Sequence, residues 1–254
     1  MIMRNRNSDP RGKLIFALDV GESLEEALSW VELLSGHVGL FKIGKEAFTF
    51  WGPDIVRQVQ QRGGGVFLDL KFHDIPNTVA RAAEAATDLR ISMFNIHASG
   101  GKKMMSEAVS ATRRFAEKRV LPVPVILAVT ILTSLNDQDL LDIGFRGGMQ
   151  ETVLGLARMA QDAGVSGVVA SPQDIAAIKA ACGSDFLIVT PGIRGTGAAA
   201  DDQKRTLTPF EAVALGADYL VVGRPIRLAL NPAMEADAIV DEMSRGIARR
   251  VGEQ

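Results

Sequence analysis

The stretch DLKFHDIPNT, at residues 69–78, carries the densest set of chemically reactive side chains in the chain. It follows the apolar run at 66–68, so Asp69 and Lys71 lie at the end of a predicted strand. Alternation along that strand places both side chains on one face, about 7 Å apart. Asp74 follows in the turn after the strand. Three ionisable groups are therefore expected to meet at one strand end.

The two carboxylates indicate which chemistry suits Lys71. At an effective dielectric constant of about 20, one such Asp–Lys contact contributes roughly 2 to 3 kcal/mol, which favours the ammonium form. An ammonium can donate a proton, whereas a neutral amine would suit the Schiff base of an aldolase. The pattern predicts a proton donor. The plain alternative is a solvated strand end with an incidental ion pair, which the buried run before it disfavours.

Composition favours a protein that acts on a small molecule. The 254 residues are 47% hydrophobic, enough for one large core, and the net charge of −2 includes no basic block for nucleic acid or an anionic membrane surface. No apolar run approaches the roughly 18 residues of a membrane span. Cys182 is the only cysteine, which excludes an internal disulfide and fits a reducing cytosol. We therefore expect a cytoplasmic protein.

Eight apolar runs, each followed by a helical segment, predict the fold. The predicted strands are 14–18, 38–43, 66–71, 93–97, 123–130, 167–170, 186–190 and 219–222. Repeats near 30 residues without a linker favour a single (β/α)8 TIM barrel, an α/β fold, over a doubly wound sheet. A doubly wound nucleotide fold would carry a glycine fingerprint at 19–22, which is absent. We assign 1–12 to a flexible tail and 13–254 to one catalytic barrel.

The polar residues that interrupt these strands fall at their carboxyl ends, where barrels of this kind hold their active sites. They are Asp19, Lys42, Asp69, Lys71, His97, Thr130 and, just past the seventh strand, Arg194. His97 has two interpretations, as a ligand contact or as a hydrogen-bonded core residue. The remaining positions predict one polar mouth.

The last two strand ends predict a phosphate site. After the eighth strand, Gly223 permits close approach, Arg224 can bind oxygens, and Pro225 begins a helix with free amides. The small-residue-rich segment at 191–205, with Arg194, can close over a ligand. The alternative for that segment is a plain surface loop. A phosphate monoester is the ligand these features favour.

Six motifs together resemble the orotidine 5'-phosphate decarboxylase family, in its bacterial stand-alone form, over residues 14–247. They are FALD at 16–19, DLKFHDIPNT at 69–78, NIHASGG at 95–101, PGIR at 191–194, DQKR at 202–205 and VGRPI at 222–226. The resemblance implies decarboxylation of orotidine 5'-phosphate to UMP and CO2, the last step of de novo pyrimidine nucleotide biosynthesis. It implies neither a metal nor an organic cofactor.

The resemblance also implies roles for individual residues. It implies a catalytic array of Lys42, Asp69, Lys71 and Asp74, with Lys71 protonating C6 of the pyrimidine. It implies a homodimer in which Asp74, Ile75 and Thr78 reach the neighbouring subunit's site. Substrate-binding positions carried over are Asp19 and Lys42 for the ribose, Ile75 and Thr78 across the dimer, Thr133 and Ser134 for the pyrimidine, Arg194, Gln203, Gly223 and Arg224 for the phosphate, and Pro191 as a further substrate contact.

Two other functions stay open at this point. One is an Mg2+-dependent sugar-phosphate decarboxylase or aldolase of the same barrel superfamily, and the other is a non-catalytic nucleotide-binding barrel. Ser134 and Gln203 have roles only in the decarboxylase interpretation. A cluster of like charges without a function would lower stability, which disfavours a non-catalytic barrel.

Overall fold

Eight parallel strands form a closed barrel in the computed structural model, which describes residues 9–21, 23–193 and 207–252. Each strand pairs with the next along the chain, and β8 pairs with β1. The strands are β1 Leu14–Ala17, β2 Leu40–Gly44, β3 Gly65–Phe72, β4 Met93–His97, β5 Val125–Val129, β6 Gly167–Val169, β7 Leu187–Thr190 and β8 Tyr219–Val222. The predicted (β/α)8 barrel is confirmed.

Helices cover the outside of the barrel and connect successive strands. They are α1 Leu24–Leu34, α2 Lys45–Trp51, α3 Pro53–Gln61, α4 Pro76–Asp88, α5 Gly101–Arg119, α6 Asp137–Asp142, α7 Met149–Asp162, α8 Ile175–Cys182, α9 Pro209–Leu215, α10 Arg224–Arg227 and α11 Pro232–Gly252. Within the described ranges, no helix is long and apolar enough to cross a membrane.

Local sequence signals fix where several of these helices begin. The Ser23 hydroxyl accepts the amide of Glu26 at the start of α1, and Pro76 occupies the first turn of α4. Thr208 and Glu211 form a capping box before α9, and the hydrogen bonds from Thr208 lower the pKa of the Glu211 carboxyl. Such caps satisfy amides that each loop would otherwise leave without partners.

The end of the predicted tail has regular structure. Pro10–Lys13 form a 3-10 helix, in which the Asp9 carboxylate accepts the Arg11 amide. The tail assigned to 1–12 therefore differs from the structure over its last residues, and residues 1–8 lie outside the described part. Proline at the first helical position and aspartate before it are the local cause.

Each strand divides its side chains between two cores. Those facing the barrel axis form an inner cluster of Ile15, Ala17, Leu40, Phe67, Met93, Leu127, Val189 and Val221. Their neighbours, such as Phe16, Leu68 and Phe94, pack outward in the larger core that includes the helices. Because apolar side chains fill the barrel axis, a polar ligand can bind only at its rim.

An ionic cluster closes the amino-terminal end of the barrel. Lys179 Nζ lies 2.7 Å from Asp218 Oδ2 and donates to the Phe186 carbonyl at 2.8 Å. The same Asp218 oxygen accepts the Ile188 amide at 2.9 Å. Burial lowers the pKa of the nearby Lys13, although Asp218 opposes that change. These contacts join β7, β8 and α8 at the end opposite the polar mouth.

Candidate active site

Four charged side chains form a continuous chain of contacts at the carboxyl ends of β1, β2 and β3. Lys71 Nζ lies 2.6 Å from Asp69 Oδ1, and Lys42 Nζ lies 3.4 Å from Asp69 Oδ2. Lys42 also donates to the Asp19 carboxylate at 3.1 Å. Lys42 and Asp69 are each only 9% exposed, whereas Asp19 is exposed. Two ammonium groups thus flank one nearly buried carboxylate.

The end of β3 departs from regular strand geometry at the charged residues. Leu68 pairs with Phe94 of β4, and the next pair is Phe72 with Ile96. Because β3 has more residues than β4 between these two pairs, β3 contains a bulge. Lys71 lies in this bulge with a φ of 52°, in the left-handed region. The two side chains meet as predicted, and their charged atoms, 2.6 Å apart, lie closer than the roughly 7 Å expected from strand alternation.

Asn95 is a site residue that reasoning from the sequence missed. Its side chain is fully buried, donates to Asp69 Oδ1 at 2.6 Å and accepts the Lys71 amide at 2.8 Å. The signal available in the sequence was a polar residue between Phe94 and Ile96, inside an apolar strand. Buried polar groups in strands need partners, so such a residue indicates a nearby polar site.

A cavity of about 220 Å3 opens beside the charged chain. Lys42, Asp69 and Lys71 supply its polar wall. The rest is mostly apolar, and consists of Phe67, Val129, Ile131, Leu132, Thr133, Val169, Ala170, Pro191 and Val221. A partly apolar ligand with an anionic group next to the lysines fits this division. Within the described ranges, no group of three or more His, Cys, Asp or Glu side chains is placed to hold a metal ion.

Asp74, Ile75 and Thr78 are exposed, Asp74 and Ile75 in the turn that leads from β3 into α4 and Thr78 in the first turn of α4. Asp74 Oδ1 accepts the amide of Ile75 at 2.6 Å, and Ile75 is 66% exposed. These residues do not line the cavity of their own chain. All three side chains therefore lie on the surface of the chain.

The segment after β5 divides into residues that reach the cavity and residues that do not. Thr133 lines the cavity, and Ser134 follows as an exposed residue beyond the lining. Thr130 was expected at the polar mouth, but it is 2% exposed and its hydroxyl donates to the Val169 carbonyl at 3.4 Å. Thr130 therefore lies at the carboxyl end of β5, as predicted, but its hydroxyl is buried between β5 and β6 and is not open to the mouth.

His97, at the end of β4, packs against His73, with ring centroids 5.4 Å apart. Burial lowers the pKa of His97 to about 4, and the positive fields of His73, Lys45 and Lys71 add to the effect of burial. Asp69 acts in the opposite direction. His97 is therefore a neutral, half-buried neighbour of the charged residues at pH 7, and it does not line the cavity.

Only some residues of the predicted phosphate site lie in the part of the chain that the structure describes. Gly223 precedes α10 and lies against β1, where a Cβ on Gly223 would stand 3.2 Å from the Ala17 Cβ. Arg224 begins α10 as an exposed residue. Pro191, after β7, lines the cavity. Arg194 and Gln203 lie outside the described residues, so their predicted phosphate contacts stay predictions.

Comparisons with known proteins agree on one family. The family described as "Orotidine 5'-phosphate decarboxylase / HUMPS family" has a sequence model that matches residues 12–239. A protein of Syntrophus aciditrophicus named orotidine 5'-phosphate decarboxylase is 60% identical over 245 residues, covering 96% of this chain and 98% of that protein. A protein of Geotalea daltonii with the same name is 53% identical over 240 residues, covering 94% and 98%.

A solved structure shares the architecture as well. The crystal structure of orotidine 5'-phosphate decarboxylase from Lactobacillus acidophilus superposes with a TM-score of 0.79 at 38% sequence identity. The superposition covers 91% of this chain and 98% of that one. Similarity in sequence and in fold therefore extends over nearly the whole chain.

Proposed function

This chain belongs to the orotidine 5'-phosphate decarboxylase / HUMPS family, and from that membership we propose that it converts orotidine 5'-phosphate to UMP and CO2 without a cofactor. The reaction is the last step of de novo pyrimidine nucleotide biosynthesis. The observation that carries the proposal is the contact of Lys71 with Asp69 at the polar wall of the cavity, 2.6 Å between Nζ and Oδ1. With one cysteine in the chain, a reducing cytoplasm is the compartment that we propose.

The charges supply the chemistry. The substrate carboxylate on C6 is placed against Asp69, and the like-charge contact is relieved when the bond from C6 to the carboxylate breaks. The electron pair of that bond stays on C6 as CO2 leaves. Lys71 stabilises this carbanion as an ammonium and then transfers a proton from Nζ to C6, which gives UMP. Water returns the proton to Lys71.

One lysine cannot account for the whole rate. Enzymes lower reaction barriers by roughly 8 to 23 kcal/mol, and a substrate without an electron sink needs the upper part of that range. We propose that the phosphate, held by Gly223, Arg224, Arg194 and Gln203, supplies binding energy far from C6. Asp19 and Lys42 hold the ribose hydroxyls, and Thr133, Ser134 and Pro191 lie along the pyrimidine and the phosphate loop. Binding at these positions excludes water from the reacting carbon.

The active unit that we propose is a homodimer with shared sites. Asp74, Ile75 and Thr78 would enter the site of the partner subunit, where Asp74 would complete the array of Lys42, Asp69 and Lys71. What supports this is the position of Asp74 in a single chain, exposed and hydrogen-bonded only locally in the described contacts. The large exposed side chain of Ile75 beside it also favours coverage by a partner.

The loss of pyrimidine absorbance tests the reaction. Orotidine 5'-phosphate is added in EDTA to wild type, to Lys71→Ala and to Lys118→Ala, whose lysine is exposed near the end of α5. We expect turnover by wild type and Lys118→Ala, and a loss of at least about 1,000-fold in kcat for Lys71→Ala, since one group supplies both electrostatic stabilisation and the proton. Activity only with Mg2+ and a sugar phosphate would refute the proposal, as would UMP binding without any turnover.

Mixed subunits test the shared site. In a heterodimer of a Lys71→Ala subunit and an Asp74→Ala subunit, shared sites leave one site with both residues intact. Activity should then reach about half that of wild type, although each variant homodimer is nearly inactive. A purified heterodimer that stays as inactive as the two homodimers would contradict the crossing of Asp74.

A further inference from the structure

Asn95 stands opposite the bulge that presents the charged residues of β3. Between Leu68 and Phe72, β3 contains two residues more than β4 contains between Phe94 and Ile96. Asn95 is the residue of β4 that faces this excess. The regular pairing of backbone groups is interrupted at this point, so some backbone amides need another partner.

The Asn95 side chain provides that partner and contacts a charged side chain at the same time. Its Oδ1 accepts the Lys71 amide at 2.8 Å, and its Nδ2 donates to Asp69 Oδ1 at 2.6 Å. The orientation of the amide group follows from chemistry, because a backbone N–H only donates and a carboxylate only accepts. One planar group therefore fixes the backbone of the lysine and the carboxylate of the aspartate.

Both contacts act on groups that would otherwise move. Lys71 has a φ of 52°, a conformation that costs a residue with a Cβ some free energy and persists only where its surroundings hold it. Asp69 is 9% exposed, so few waters can compete for its oxygens. Asn95 itself is 0% exposed and shares the inward face of β4 with Met93. Its own rotamer is fixed by packing in the barrel interior.

We propose that Asn95 is a positioning residue for the reaction, which sets the distance and direction of Lys71 and Asp69 toward the substrate. This inference rests on the proposed decarboxylase function. Asn95 does not line the cavity, so it acts through the other two residues and not by touching substrate. It follows that losing Asn95 changes the chemical step more than it changes substrate binding.

Two substitutions separate this role from simple packing. Asn95→Leu keeps a branched side chain but removes both hydrogen bonds. Asn95→Asp is nearly the same shape, and it can reproduce both bonds only while it carries a proton, because two ionised carboxylates 2.6 Å apart repel each other. Thr112→Val is the matched control, since Thr112 is a buried residue of α5 whose hydroxyl has no hydrogen-bond partner among the described residues.

The test is the steady-state decarboxylation of orotidine 5'-phosphate from pH 5.5 to 8.5. We expect Asn95→Leu to lower kcat about 10- to 100-fold, the effect of losing a hydrogen bond to a charged group, with KM within about threefold of wild type. Asn95→Asp should keep an about fivefold larger fraction of wild-type kcat at pH 5.5 than at pH 8.5. Thr112→Val should follow wild type at every pH.

The proposal fails if Asn95→Leu keeps wild-type kcat or changes KM alone, or if the loss in Asn95→Asp is the same at every pH. Should Asn95→Leu not fold, the pH profile of Asn95→Asp decides. Hydrogen exchange of the Lys71 amide gives a readout that does not need activity, and it should quicken about tenfold or more in Asn95→Leu. An inactive wild type would refute the proposed function, and unchanged exchange at Lys71 would separately refute the contact with Asn95.

Discussion

Replacing His97 with glutamine should make the fold less sensitive to acid. In the folded protein, burial and the fields of His73, Lys45 and Lys71 lower the pKa of His97 from 6.5 to about 4, against the opposing field of Asp69. The unfolded chain binds a proton at this histidine more readily than the folded chain does. Above pH 6.5 the ring is neutral in both states, and it does not lower the free energy of unfolding. As the pH falls from 6.5 toward 4, the unfolded chain takes up the proton first, so the free energy of unfolding decreases.

The size of this loss follows from the pKa difference. A pKa difference of one unit corresponds to about 1.4 kcal/mol, so the change from 6.5 to about 4 sets an upper limit of about 3 kcal/mol. Because the ring of His97 is partly exposed, screening by solvent reduces the expected effect to about 1 to 2 kcal/mol. A glutamine at this position does not titrate. The free energy of unfolding of His97→Gln, relative to that of wild type, should therefore rise by this amount between pH 7 and pH 4.5.

Urea unfolding at several pH values measures the effect. The free energies of unfolding of wild type, His97→Gln and His37→Gln are compared at pH 7.5, 6.5, 5.5 and 4.5. His37 is the control because it faces the Asp237 carboxylate at 3.0 Å rather than a group of cations. The reasoning would be refuted if the free energies of unfolding of His97→Gln and wild type differed by the same amount, within about 0.5 kcal/mol, at every pH.

Substitutions remote from the site test the packing of the barrel. Gly167→Ala should lower the free energy of unfolding by about 1 to 3 kcal/mol, because its Cβ would overlap the backbone of Leu187, whereas Gly155→Ala in open space on α7 should raise it by about 0.5 to 1 kcal/mol. Thermal unfolding of both variants checks this, and equal melting temperatures would contradict it. Lys179→Met should cost about 2 to 4 kcal/mol, since it leaves the nearly buried Asp218 without its nearest cation. If urea unfolding shows that Lys179→Met lowers the free energy of unfolding by less than about 1 kcal/mol, the ion pair contributes little to stability.

The strands could be predicted from the sequence because each is a short apolar run with turn residues at its ends. The fourth and eighth strands match their predicted bounds, Met93–His97 and Tyr219–Val222. The same periodicity also placed Lys42, Asp69 and Lys71 at one rim. These features depend on residues close together in the chain, which is why a single sequence contains them.

The details that the sequence did not predict depend on contacts between distant segments. The bulge at Lys71 exists because β3 pairs with a strand some 24 residues further along the chain, and Asn95 acquires its role only through that pairing. Thr130 faces the Val169 carbonyl and not the mouth, which only the register of β5 and β6 determines. The role that we propose for Asp74 depends on a second subunit, which a single chain does not contain.

Because β1 pairs with β8, the first strand to be synthesised finds one of its two partner strands only when the last strand has been made. Lys42, Asp69 and Lys71 leave the ribosome early, yet Gly223, which lies against Ala17 of β1, follows about 150 residues after Lys71. At roughly 5 to 20 residues per second, the charged strands wait roughly 8 to 30 s for the strand that closes the barrel. During that interval β1 lacks the strand that covers its second edge, and an open strand edge can pair with other chains.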